Sequence, residues 1–408
     1  MTGVSRRGFL GGATIAAGAA AVAGCSNAEE DAPAVSAAGT DNPVLKDAIV
    51  PFDGEHQAGI STPVQANLQL VGFDLQEGVD KQGLANLLRL WTADARNLCT
   101  GETPLGSLEP EMVQAPSNLT ITCGLGEPVF ELLDVDKPEW LGDVREFERD
   151  ELDPQWGQTD LVLQICCDDP VMGSHALRHM VRAGSSYADV VWLQSGFSDA
   201  FGAREKSETP RNLFGQIDGT VNPREPQEFA DQVWIDEGPE WAQGGSAMVV
   251  RRIRMNLDTW EELDRPSRED SVGRKLSDGA PLTGNDEHDE PDLEATDKYG
   301  LPVINPNSHM ALSRPPADKP NQKLLRRPYN YNLPPDPQTP DQLSNAGLIF
   351  ICYQKDPTEQ FEPIQARLDE SDILNTWISH IGSAMYFCPP GTEGESWWAE
   401  SLVDSAKL

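Results

Sequence analysis

The feature that most narrows the fold of this chain is a grammar of strands and helices that runs once and then begins again. QANLQLVGFDL (65–75) alternates apolar and polar side chains as a strand does, and KQGLANLLRLWTADARNL (81–98) places apolar residues three and four apart, the helical spacing. LTITCGLG (119–126) and TDLVLQICCDD (159–169) read as further strands, SHALRHMVRAG (174–184) as a helix ending at glycine, and DVVWLQSGF (189–197) as another strand. The second half reuses the pattern. SAMVVRRIRMNL (246–257) predicts a strand, TWEELDRPSREDSVGRKL (259–276) a helical stretch, and NAGLIFICYQ (345–354) a buried strand; PIQARL (363–368) and SDILNTWISHIG (371–382) both read as helical. Two similar halves of this kind predict an α+β duplication, with packed antiparallel sheets flanked by helices. The boundary falls near residue 210, giving modules over 51–210 and 211–408. Between the second-half elements lies an acidic insert, TGNDEHDEPDLEAT (283–296), which reads as a solvated loop.

The N-terminus reads as an address. Arg6 and Arg7, in SRRGFL, precede a Gly/Ala-rich apolar run from Phe9 to Ala23, which marks residues 1–24 as an export signal of the twin-arginine type. Val22-Ala23-Gly24-Cys25 has the look of a bacterial lipobox and predicts a lipid anchor at Cys25; the alternative is ordinary signal cleavage beside an incidental cysteine. Residues 25–50 then form a flexible tether. The expected location is the cell envelope or the exterior. Removing residues 1–24, which hold two arginines and no acid, takes the net charge from −35 to −37. Such a chain repels nucleic acid and anionic membranes, so neither is an expected partner. The other six cysteines form no C-x-x-C pair and no C-x-x-C-H haem attachment; most sit in apolar runs and read as small core residues.

Three local patterns carry chemistry. NLFGQIDGTVNP (212–223) sets one acid, Asp218, among glycines that permit unusual backbone angles, although Asp-Gly is also an ordinary turn signal. Of the six histidines, His175 and His179 have the i, i+4 spacing of metal ligands, but with Arg178 between them and no H-E-x-x-H they read as core or surface histidines. His288 reads as solvated. His309, in NPNSHMALSRP, stands where a loop enters a short apolar segment, and seventeen residues later Arg326 and Arg327 lie in KLLRRPYNY. An arginine among leucines and aromatics must meet an anion, since it cannot lose its charge.

FGQIDGTVNP, SHMALSRP, LLRRPYNY, GLIFICYQ and ISHIGSAMYFCPPG, in that order and preceded by EHQAGISTPVQ, resemble the dye-decolorising (DyP-type) haem peroxidases. The resemblance runs from about Pro51 onward, and the twin-arginine signal fits the exported branch associated with iron uptake. It implies a fold of tandem ferredoxin-like modules of the dimeric α+β barrel type, and one non-covalent haem b per chain. By match to the family, His309 is the proximal iron ligand, with Asp372 as its carboxylate partner and Asp369 as the alternative. Asp218, followed by Gly219, is the distal proton carrier; Arg326 is the distal cation, with Arg327 as its fallback. Leu348 and Phe350 are expected to restrict the distal pocket. Pro328 departs from the family, where many members have glycine. The implied substrates are hydrogen peroxide and a reductant giving electrons singly, by way of Trp or Tyr residues near the surface; Tyr329, Tyr331 and Trp377 lie near the motifs, and the sequence does not choose among them. Two other readings remain open: iron release from haem or ferrous-iron oxidation within an uptake system, and a non-enzymatic haem-carrier lipoprotein. Homo-oligomerisation is compatible with all three.

Overall fold

A computed structural model describes residues 44–205, 208–337, 342–394 and 396–406. The expected signal, Cys25 and most of the tether lie outside the described residues. The first module runs β1 (Asn67–Leu75), α1 (Lys81–Thr100), β2 (Thr120–Leu125), α2 (Glu127–Leu133), β3 (Leu161–Cys167), α3 (Pro170–Gly184) and β4 (Ala188–Phe197). Helix α1 starts where the Asp80 side chain accepts the Gly83 N–H at 2.8 Å, and stops at Gly101 in the left-handed region. Its Leu84, Leu87, Leu88, Trp91, Ala95 and Leu98 are buried at helical spacing, and each leucine contributes about 1.5–3 kcal/mol by leaving water.

After α4 (Pro226–Gln232) the second module runs β5 (Ser246–Met255), α5 (Leu257–Trp260), α6 (Arg265–Val272), α7 (His309–Ser313), β6 (Leu325–Arg326), β7 (Tyr329–Leu333), β8 (Asn345–Gln354), α8 (Phe361–Ser371) and β9 (Ile378–Cys388), with α9 (Glu400–Ser405) at the end. The strand order is β2-β3-β1-β4 in the first module and β7-β8-β5-β9 in the second, where the short β6 shares with β7 one edge of β8; with β6 and β7 counted as one interrupted strand, each module puts its first strand between its third and fourth. Every pairing between the described strands is antiparallel. The sheets meet at two narrow seams, Leu125↔Phe387 and Phe197↔Asn330, and the ring of pairings closes into a barrel. The α+β duplication expected from the sequence is therefore present, with its two sheets joined edge to edge.

Two local readings need correction. SDILNTWISHIG is not a helix. Asp372 accepts the Leu374 N–H at 2.9 Å and caps one 3₁₀ turn (Ile373–Thr376), after which β9 begins at Ile378 and pairs along β5. Sheet pairing there overrides the local helical pattern. The stretch 259–276 breaks into α5 and α6, because Pro266 has no N–H to continue a helix and stands instead in the first turn of α6. His175 and His179 are buried core residues, the latter 2.9 Å from buried Asp94. All six described cysteines are free and buried, as their apolar surroundings predict.

Candidate active site

The sheet of the second module turns one face to a cavity of about 530 Å³. Arg251, Ile253 and Met255 of β5 recur on that face with the strand period of two, as do Leu348 and Phe350 of β8. The long connection from β5 to β6 carries α6 and α7 past the cavity, and α8 closes another side. Leu348 and Phe350 therefore stand where the sequence places them.

His309 is the first residue of α7 and lines the cavity. Its Nδ1 lies 2.6 Å from Asp372 Oδ2, and the other oxygen of Asp372 accepts the Leu374 N–H. The Asp372 carboxylate is fully buried, while the imidazole keeps 31% exposure toward the cavity. With Nδ1 engaged, Nε2 is the nitrogen left for a ligand. Burial opposes a proton on His309, but the charge and hydrogen bond of Asp372 outweigh it, so the pKa lies above the ordinary value. Asp369 is excluded as the partner, because its carboxylate accepts the backbone N–H groups of Glu148 and Arg149.

Asp218 and Arg326 line the same cavity. Arg326 Nη1 approaches Asp218 Oδ1 to 2.8 Å, while Asn212 Nδ2 donates to Oδ2 at 3.2 Å. Oδ1 is buried without an aligned hydrogen bond, so the arginine contact is one of charge, and Oδ1 remains able to accept from an incoming O–H. The turn that presents the acid needs its glycines: Gly215 and Gly219 have φ of 80° and 128°, values costly for other residues. Arg211 ties the turn down by donating to the carbonyls of Gly215, Leu276 and Ser277.

Arg327 cannot replace Arg326. Strand alternation sends its side chain the other way, where it is 1% exposed and donates to the Thr62 and Pro63 carbonyls and to Gln65. Tyr329 and Tyr331 are also fully buried, in the second core cluster, so neither reaches the surface. Trp377 is half-buried and packs edge-on to Trp260 at 5.3 Å.

Two site residues escape the sequence reading. Asn222 donates from Nδ2 to the Arg326 carbonyl at 2.7 Å and accepts the Arg326 N–H at 3.0 Å, locking the acid-bearing loop to the arginine-bearing strand. Glu287, from the acidic insert, accepts the hydroxyls of Thr209 at 2.7 Å and Thr220 at 2.9 Å, and so braces both flanks of Gly219. The insert is thus no merely solvated loop: Glu287, His288, Asp289 and Glu290 all line the cavity. Two threonines in range of a carboxylate are a weak sequence signal; the Asn-Pro after Asp-Gly reads only as a turn.

One histidine backed by a carboxylate and an acid-arginine pair, lining one largely apolar cavity, define an oxidoreductase site for a planar iron cofactor. The comparisons agree. The N-terminal and C-terminal Dyp-type peroxidase family profiles match residues 57–198 and 209–393. The dye-decolorizing peroxidase of Thermobifida fusca (strain YX) is 35% identical, over 96% of each chain. The deferrochelatase of Escherichia coli (strain K12) is 36% identical, over 92% of each. A crystal structure of a DyP-type peroxidase from Cellulomonas bogoriensis superposes with a TM-score of 0.85 at 42% identity, covering 89% of this chain and 100% of that one. The chain belongs to the Dyp-type peroxidase family, and it is a haem peroxidase.

The residues present fit haem. The cavity volume lies within the range of about 300–1,000 Å³ usual for cofactor sites, and Ile253, Met255, Leu348 and Phe350 supply apolar walls. Arg224, Arg274 and Arg314 also line it and can meet carboxylates.

Proposed function

We propose that the protein reduces hydrogen peroxide and oxidises small phenolic, dye-like or other reductants, using one non-covalent haem b held through His309. The observation that carries this reading is the shared cavity of the His309–Asp372 and Asp218–Arg326 pairs. Haem b, when bound, supplies the redox centre at which the O–O bond is cleaved. His309 Nε2 would hold the iron, with Asp372 keeping the proton on Nδ1, fixing the ring and strengthening it as a donor. Asp218 Oδ1 would take a proton from peroxide and return it to the departing oxygen. Arg326 stabilises the negative charge that develops on the leaving group. Leu348 and Phe350 keep bulky reductants from this space, which favours electron delivery from the periphery. The test is an absorption spectrum before and after peroxide: the parent shows a Soret band that shifts with peroxide, and His309→Ala loses most of the haem. Unchanged haem content in that variant overturns the assignment.

The name of the deferrochelatase relatives motivates a second reading, in which iron is taken from haem or ferrous iron is oxidised within an uptake system. Release of fluorescent metal-free porphyrin without peroxide distinguishes it. A haem carrier has no need of the Asp218–Arg326 pair, which argues against that role. The N-terminal reading stands as a proposal as well: export by the twin-arginine route and a diacylglycerol anchor on Cys25, enough for stable attachment. Cys25→Ser releases the protein or stalls its processing; a mature N-terminus beyond Cys25 removes the lipoprotein reading.

A further inference from the structure

Among the described residues the first module supplies none to the cavity wall, yet one of its segments reaches a residue that lines it. Residues 147–153 run against the second module. The Glu148 and Arg149 N–H groups donate to Asp369, the Glu151 N–H to the His380 carbonyl and the Asp153 N–H to the Ile381 carbonyl. This places Asp150 against Arg251 in an ion pair whose side chains are 0% and 1% exposed. Arg251 lines the cavity and Asp150 does not. Arg251 is thus the member of the pair that borders the cofactor space. Arg251 Nη1 also donates to Ser383 Oγ at 3.2 Å, and its Nε is buried without a partner.

A second cavity residue stands beside the pair. His380 lines the cavity too, with Nδ1 3.9 Å from Asp150 Oδ1. Burial first, then the charges of Arg251 and His309, hold the proton off its imidazole. A buried ion pair is a poor device for stability, since desolvation offsets much of its attraction. Its charges are, however, hardly screened by salt, so its field reaches neighbouring groups. Asp372, hydrogen-bonded to His309, would make that ligand a stronger donor to a bound iron, and the cation of Arg251 would oppose this.

We infer that Asp150 and Arg251 together set the redox potential of the iron held by His309, with Arg251 as the charge and Asp150 as the positioning residue that aims and moderates it. The inference rests on the haem reading above. The alternative is a latch between modules that leaves the iron's potential alone.

Spectroelectrochemical titration of the haem-loaded parent, Asp150→Asn and Arg251→Met separates the two. Asp150→Asn removes the anion and leaves the cation, so the ferrous state gains and the midpoint potential rises. A tenfold change in the ferric-to-ferrous ratio at fixed ambient potential, about 59 mV for one electron, is the expected size. Arg251→Met removes the cation, and the midpoint falls below the parent's. Haem-loaded variants whose midpoints coincide with the parent, or shift in the reverse order, overturn the inference while leaving the haem reading intact. Should Asp150→Asn fail to fold, Arg251→Met alone decides, because a midpoint at or above the parent's is incompatible with the assigned role. A parent that binds no haem sinks both.

Discussion

Asp372 Oδ2 lies 2.6 Å from His309 Nδ1 across 63 residues of sequence, and its second oxygen is used by the Leu374 N–H. The carboxylate is thereby aimed by one backbone turn and has no freedom to serve elsewhere. Asp372→Asn should keep the fold and some haem, yet lower haem-iron affinity or peroxide turnover about 10–100-fold, the usual cost of losing such a partner. Haem titration and steady-state peroxide kinetics measure this, and parent-like values in both would mean that the pair is only structural.

Asp218 and Arg326 contact each other, so their losses are coupled. Removing the acid takes away a proton carrier, worth about 10²–10⁴-fold. Removing the arginine takes away a fixed charge worth about 10²–10³-fold, and in addition leaves the acid without its counter-charge. Arg326→Leu is expected to slow the peroxide-driven Soret change more than Asp218→Asn does, with haem retained in both. Stopped-flow absorbance at acidic pH ranks them. Because Arg327 is buried on the opposite side, an Arg326→Leu variant as fast as the parent sinks the distal assignment outright.

Asn222 is the hinge pin between those two residues. Its two hydrogen bonds to the Arg326 backbone contribute about 0.5–1.5 kcal/mol each. Asn222→Ala should lower unfolding free energy by about 1–3 kcal/mol and slow the peroxide reaction without touching haem content. A stability loss with an unchanged peroxide rate would show that the arginine holds its place unaided.

His380 predicts a pH effect on stability. Burial, with Arg251 and His309 nearby, holds its folded pKa down to about 3, against 6.5 when unfolded; the other charged neighbour is Asp150. Between those values the unfolded chain binds the extra proton, so stability is complete above pH 6.5 and declines as pH falls toward 3. One proton gives a slope of about 1.4 kcal/mol per pH unit. Denaturant unfolding of the parent and His380→Gln at several pH values should show a shallower slope in the variant; equal slopes would remove His380 as the source.

The legible parts of this molecule were those written locally. Asp218 stands between two glycines and His309 opens a short helix, and each is a local arrangement that residue types can announce. Strand alternation likewise tells that Arg326 and Arg327 point apart, once Leu325–Arg326 is recognised as a strand; Pro328 hides this by interrupting the run before β7. What stayed hidden depends on distant pieces. Glu287 looked solvated because its partners, Thr209 and Thr220, are 78 and 67 residues away. ISHIGSAMYFC became a strand because β5 pairs with it, and no window of sequence contains both.

The two narrow seams of the barrel carry a consequence of their own. Unpaired sheet edges invite pairing with other chains, and here β4 meets β7 while β2 meets β9. Among the described residues every one that lines the cavity belongs to the second module, and the first thus acts as its tethered twin. Where two separate chains must find each other, their pairing weakens on dilution; here the linkage makes it an intramolecular matter. The working unit holds one site for every two copies of the fold, and dilution cannot take it apart.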